Sequence, residues 1–134
     1  MTEPAAERTL VSSGSYLEPV IGFSRAVRVG NHIVVGGTAP IRPEGGNAGI
    51  GDVYAQTRRC LEIVAKAIAD AGGRLEDVTR TRIILTDIAL WKDAARAHAE
   101  VFGTIRPVTT LMQVTAFVDP AWLVEIEAEA IIPG

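Results

Sequence analysis

Cysteine is almost missing: Cys60 is the single thiol in 134 residues. That excludes an intrachain disulfide framework and leaves no cysteine pair at metal-ligand spacing. Aromatic residues make up 5% and there are two histidines, which is little stacking surface and little acid–base equipment for RNA recognition or cleavage. Positive charge is not in excess either. The formal net charge of −3 gives no global attraction for nucleic acid or an anionic membrane. No long apolar run is present, and the opening MTEPAAERTL has acids where a secretory leader has a basic stretch. A leader and a membrane span are therefore not expected, and the cytoplasm is the default compartment. Repeats, low-complexity tracts and linkers are also missing. One domain over residues 1–134 is expected, with about 1–14 a weakly structured lead-in that holds a short strand near Thr9–Val11.

What is present is an ordinary globular composition, 48% hydrophobic and 22% charged. The most informative stretch is Arg106–Ala130, RPVTTLMQVTAFVDPAWLVEIEAEA. It reads as two strands joined at Asp119-Pro120, a closing hairpin. In the second strand Glu125, Glu127 and Glu129 share one face, and Val124, Ile126, Ala128 and Ala130 share the other. In the first, Thr110, Met112, Val114, Ala116 and Val118 alternate with Thr109, Leu111, Gln113, Thr115 and Phe117.

Upstream, Arg25–Val29 alternates polar and apolar residues, Gly30-Asn31 supplies turn chemistry, and Ile33–Val35 is a buried-looking run. Ala39–Gly51 is rich in glycine but matches no phosphate-binding spacing, so it reads as a connector. Val53–Ala71 is a helix with Asp52 at its N-cap and Gly72-Gly73 at its end. Its apolar stripe is Cys60, Leu61, Val64, Ile68 and Ala71, which makes Cys60 a small core residue. Thr79–Leu85 reads as a strand with Arg80, Arg82 and Ile84 on one face. A second helix covers about Leu90–Phe102, its stripe using Leu90, Trp91, Ala94, Ala95, Ala97 and Val101 or Phe102. His98 on this helix and His32 beside the turn read as surface or edge residues.

Hairpin, helix, strand, helix and two strands make an α+β domain in which two helices cover one face of a mixed sheet. The other face is expected to carry Leu111, Gln113, Phe117, Leu123 and the three glutamates. Such a mixed face fits burial in a closed homo-oligomer, its acids paired with Arg80 or Arg82, the alternative being a solvated face.

Three segments, GGTAP (Gly36–Pro40), AGGRLEDV (Ala71–Val78) and VEIEA (Val124–Ala128), with GFSRAVRVGNHIVVGG before them, resemble the RidA/YjgF family of imine deaminases. The resemblance runs from about Gly22 to Ile131. It implies a chorismate-mutase-like α+β fold and a homotrimer with small-molecule clefts between subunits. It implies hydrolysis of reactive enamines and imines such as 2-aminoacrylate, with no cofactor. The arginine that clamps the substrate carboxylate in that family falls on Thr109, which has neither its charge nor its fork. The water-activating glutamate falls on Glu125, an aromatic of the cleft on Ser24, and a backbone position near the ligand on Gly37. This combination resembles an arginine-lacking branch.

Three functions remain open. One is a hydrolase in which Glu125 activates water for a substrate that lacks the usual carboxylate, with Thr109, Thr110 and Ser24 as neutral hydrogen-bond partners. Another is a non-catalytic trimer that binds a metabolite in the same clefts. The third is the endoribonuclease label of the family, ranked last because the chain is acidic and poor in aromatics. Glutamates two apart on a strand with no histidine or cysteine beside them do not call for a metal. Arg25, Arg28 and Arg96 are the cations to test as replacements for the missing arginine.

Overall fold

The computed structural model describes residues 7–134. Six strands and three helices follow in the order β1 (Arg8–Val11), α1 (Leu17–Ile21), β2 (Ala26–Val29), β3 (His32–Thr38), α2 (Val53–Asp70), β4 (Val78–Leu85), α3 (Trp91–Phe102), β5 (Val108–Gln113) and β6 (Val124–Ile131). The strands form one sheet in the order β1-β2-β3-β6-β4-β5, antiparallel except where β5 joins β4. This is the expected α+β class, chorismate-mutase-like, with a mixed sheet. Residues 1–6 of the expected lead-in lie outside the described residues, and β1 occupies much of the rest. Among the described residues no helix is long and apolar enough to cross a membrane.

The main elements form for local reasons. The Asp52 carboxylate accepts a hydrogen bond from the Ala55 amide and caps α2, and Gly72 at φ +92° turns the chain out of it. The β2–β3 turn places Gly30 at φ +59°, a conformation that costs glycine nothing. Cys60, Leu61, Val64 and Ile68 of α2 pack with Ile33, Val35, Ile126 and Ala128 in one buried core. From α3 come Ala94, Ala97 and Phe102, while Trp91, expected in its stripe, stays 45% exposed at the first turn.

Two expectations are overturned. β5 and β6 are not a hairpin: β6 inserts between β3 and β4, and β5 pairs in parallel with β4 at the sheet edge. A parallel pair needs a crossover, and α3 supplies it. The strand also ends at Gln113, so Val114–Val118 belongs to the connector. The β5 faces are corrected as well. The register sets Thr109 beside Thr81, Leu111 beside Ile83 and Gln113 beside Leu85, so these three share the helix-covered side. Val108, Thr110 and Met112 are on the open face, beside Arg80, Arg82 and Ile84. Alternation fixed which residues go together, but both sets in TTLMQ mix polar and apolar side chains, so composition could not say which turns inward.

Candidate functional site

A cavity of about 380 Å³ opens where the start of β6 meets the end of β3. Its wall is built by a bulge. Val35 pairs with Ala128 and Thr38 with Ile126, so β3 spends one extra residue at Gly36-Gly37 where β6 has none. A Cβ on Gly37 would stand 2.7 Å from Glu125 Oε1. The bare glycine is what lets the carboxylate lie against the backbone there.

The Glu125 carboxylate lines the cavity and has no hydrogen-bond partner among the described residues. Its cross-strand neighbour on β4 is Ile84, which offers no charge. Burial raises its pKa above the ordinary carboxylate value, Arg25 opposes the rise, and Glu127 adds to it. The result is a carboxylate with open valence and enhanced basicity at a cavity wall.

Arg25 lies against the same cavity, only 4% exposed. Its Nη1 donates to the carbonyls of Gly36 and Gly37 and to Thr38 Oγ1 (3.1 Å), and its Nε donates to Ser13 Oγ (3.4 Å). The bulge exposes those carbonyls, and the guanidinium satisfies them. Burial pulls the Arg25 pKa down, against the attraction of Glu18 and Glu125. Its ring neighbour is Phe23, 5.1 Å from the guanidinium carbon.

Ser15 and Ser24 add hydroxyls to the lining, and the rest of the wall is apolar. Leu17 and Ile21 come from α1, Phe23 follows that helix, Ile41 belongs to the glycine-rich segment, and Val118 and Trp122 come from the β5–β6 connector. These loops are tied down. Trp122 Nε1 donates to Asn47 Oδ1 at 2.7 Å, and Asn47 Nδ2 donates to Asp119 at 3.0 Å. The fully buried Gln56 of α2 donates to the carbonyls of Gly49 and Ala121 and accepts from the Leu123 amide. The Ala39–Gly51 connector is thus a fixed part of the wall. Glu18 anchors α1: burial works against its charge, but hydrogen bonds from Ser12, Ser13 and Ser15 prevail and hold its pKa below the ordinary value.

Of the residues singled out in the sequence, Glu125, Ser24 and Gly37 meet at this cavity, and Arg25 joins them. Thr109 and Thr110 do not line it within one chain. Thr109 sits on the helix-covered side, where its hydroxyl bonds Thr81 at 2.7 Å, and Thr81 in turn bonds His98 Nε2 at 2.8 Å. His98 is half-buried in this chain of hydroxyls, not on the surface, and burial lowers its pKa. Arg28 is spent on the carbonyls of Gly30 and Ala71, and Arg96 stacks 3.9 Å from the Tyr54 ring on the helical surface. Neither lines the cavity. Cys60 is fully buried, and that burial pushes its thiol pKa up, as suits a core residue. Sequence reasoning missed Phe23 and Trp122. The glycine pair inside a strand pattern was the available sign of the bulge.

Comparison with known proteins identifies the family and the fold. Residues 13–132 match the family model described as endoribonuclease L-PSP. The chain is 41% identical to the uncharacterized protein SCO2049 of Streptomyces coelicolor over 97% of this chain and 95% of that one. It is 34% identical to the 3-aminoacrylate deaminase RutC of Acinetobacter baylyi over 84% of this chain and 88% of that one. A crystal structure from Mycobacterium tuberculosis, Rv2704 of the YjgF/YER057c/UK114 family, superposes with a TM-score of 0.86 at 48% identity, covering 94% of this chain and all of that one. With a bulge-backed carboxylate on β6 and matches along nearly its whole length, this chain belongs to the endoribonuclease L-PSP family, the RidA/YjgF group.

Proposed function

We propose that the protein hydrolyses a small imine or enamine-type metabolite, with Glu125 activating the attacking water. Family membership supports a small-molecule-binding or deaminase-type role. The observation that carries the finer reading is Glu125 itself: a half-buried carboxylate of raised pKa, unpaired, on the wall of a cavity large enough for a metabolite. The chemistry balances as R₂C=NH + H₂O → R₂C=O + NH₃. Glu125 takes a proton from water as the water oxygen bonds the imine carbon and passes it to the nitrogen, giving R₂C(OH)NH₂. It then takes the hydroxyl proton and delivers it to the nitrogen as the C–N bond breaks, leaving R₂C=O and NH₃.

The working form is a homotrimer in the cytoplasm, with the open sheet faces turned toward one another and a cleft at each boundary. What supports this is the composition of that face. Val29, Val34, Val108 and Ile131 are each more than 40% exposed there, around a band of Arg80, Arg82, Glu127 and Glu129. In such an assembly the edge strand that carries Thr109 and Thr110 lies against a neighbouring copy, and Thr110, on its open face, contributes to the cleft that holds Ser24, Gly37 and Glu125. A monomer by light scattering at micromolar concentration would remove the shared cleft.

A second reading has its own support: Thr109 stands where the resemblance expects the carboxylate-binding arginine, which favours a non-catalytic metabolite binder. Both are tested by following ammonia release from imines generated in situ. Release by the wild type and its loss in Glu125→Gln, with the fold intact by circular dichroism and substrate raised until the rate no longer increases, supports hydrolysis. Binding without release leaves the binder.

A further inference from the structure

The charges around the cavity say what kind of molecule fits it. Arg25 is the one cation among the described residues that line it, and Glu125 the one anion. A carboxylate is held best by two parallel N–H···O bonds from one edge of a guanidinium. Both such edges of Arg25 already have a bonded member: Nη1 serves Gly36, Gly37 and Thr38, and Nε reaches Ser13. Turning the Nη1 edge to a ligand would strip the Gly37 carbonyl of its donor, and turning the Nε edge would cost the Ser13 bond, both in surroundings that leave Arg25 only 4% exposed, which is costly. Glu125, by contrast, has no partner among the described residues, and a second carboxylate beside it would meet like charge. The remaining lining is mostly apolar, with Ile21, Phe23, Val118 and Trp122 among it and the hydroxyls of Ser15 and Ser24 its polar part.

From this we infer that the ligand of the Glu125 cavity is an imine or amine with an apolar body and no carboxylate. Its nitrogen faces Glu125, and its apolar group lies against Phe23 and Trp122. The inference deepens the proposed function and rests on Glu125 facing the ligand, but it concerns recognition and so separates from turnover. The reactions that supply such a molecule are oxidations of primary amines, not of amino acids.

The test uses a matched pair that differs only by the carboxylate. Trp91→Phe leaves Trp122 as the single indole, since the chain has two tryptophans. Fluorescence titration of that variant with 2-phenylethylammonium and with phenylalanine reads binding at the cavity wall. The amine is expected to bind at least about tenfold more tightly, and Glu125→Gln is expected to remove about tenfold or more of that affinity, as loss of a charge-assisted hydrogen bond should. Equal or tighter binding of phenylalanine overturns the inference, as does no binding of either.

Turnover is read on the corresponding imines, 2-phenylethanimine from a flavin amine oxidase and 2-imino-3-phenylpropanoate from an amino-acid oxidase. Faster release of ammonia from the former supports recognition and hydrolysis together. Faster release from the latter overturns the inference and points to a cation from a neighbouring copy, for which Arg106→Ala is the control. Preference for the amine in binding with neither imine accelerated keeps the inference and sinks the hydrolase.

Discussion

Glu125 and Glu127 stand two residues apart on the same face of β6, yet their surroundings give them opposite roles. Glu127 lies opposite Arg82, and their side chains meet at 3.1 Å. Glu125 lies opposite Ile84, with the Gly36-Gly37 bulge on its other flank. One carboxylate is neutralised by its neighbour; the other is left open at a cavity. The strand treats them alike, and the neighbouring strands separate them. A repeating row of like residues is therefore not evidence of a repeating function, because cross-strand partners decide what each member does.

The largest expected effect follows from that contrast. Glu125→Gln should lower imine turnover by about a hundredfold or more, the usual range for removing a general base, while circular dichroism stays that of the wild type. Glu127→Gln should leave turnover within about twofold at a concentration where the protein stays associated. Comparable losses in both would mean that the row acts as a whole and the distinction fails. Next in size is Gly37→Ala, whose new Cβ would meet Glu125 Oε1 at 2.7 Å. The carboxylate is the flexible end of a side chain and can swing away, so the fold should survive while kcat/KM falls by about tenfold through lost positioning.

The pH dependence sharpens the same pair. Burial, offset in part by Arg25, raises the Glu125 pKa, so the base form accumulates only above the ordinary carboxylate range. Turnover should rise as pH increases through that raised value, and a rate profile flat across the acid range would remove Glu125 as the base. Stability should move the other way. A carboxyl whose folded pKa is raised contributes stability that is fully present below the unfolded pKa and lost as pH rises through the folded one. Glu125→Gln should therefore melt higher than the wild type at neutral pH, with the difference shrinking toward acid.

The fold was largely legible because its signals are local and strong. Asp52, the stripe through Cys60 and Ile68, Gly72 and the Gly30-Asn31 turn each fix an element from within a few residues. The faces of β6 were legible because Val124, Ile126, Ala128 and Ala130 are uniformly apolar and all buried. β5 was not legible in the same way: its two faces are equally mixed, and its partner is set by the α3 crossover instead of by its own residues. The site divides similarly. Glu125, Ser24 and Gly37 came from the resemblance and meet in space. The commitment of Arg25 to the bulge carbonyls depends on its contacts with Ser13, Gly36, Gly37 and Thr38, which no spacing along the chain announces.

The smallest effect concerns the quieter half of the comparison. Arg82 and Glu127 are each 35% exposed in the single chain, where a pair of that kind is screened by water and contributes little. A double-mutant cycle with Arg82→Ala and Glu127→Ala, followed by urea unfolding, should then give a coupling of about 1 kcal/mol or less for an isolated copy. The proposed trimer changes that expectation, because the open face becomes an interior. There, removing one partner leaves an uncompensated charge away from water, at a cost of about 3–5 kcal/mol. A large penalty for each single substitution, accompanied by dissociation in light scattering, would mark the face as covered in solution. A small penalty at a concentration where the protein remains associated would mean that the copies meet elsewhere, and the row from Glu127 to Glu129 would then be a solvated face.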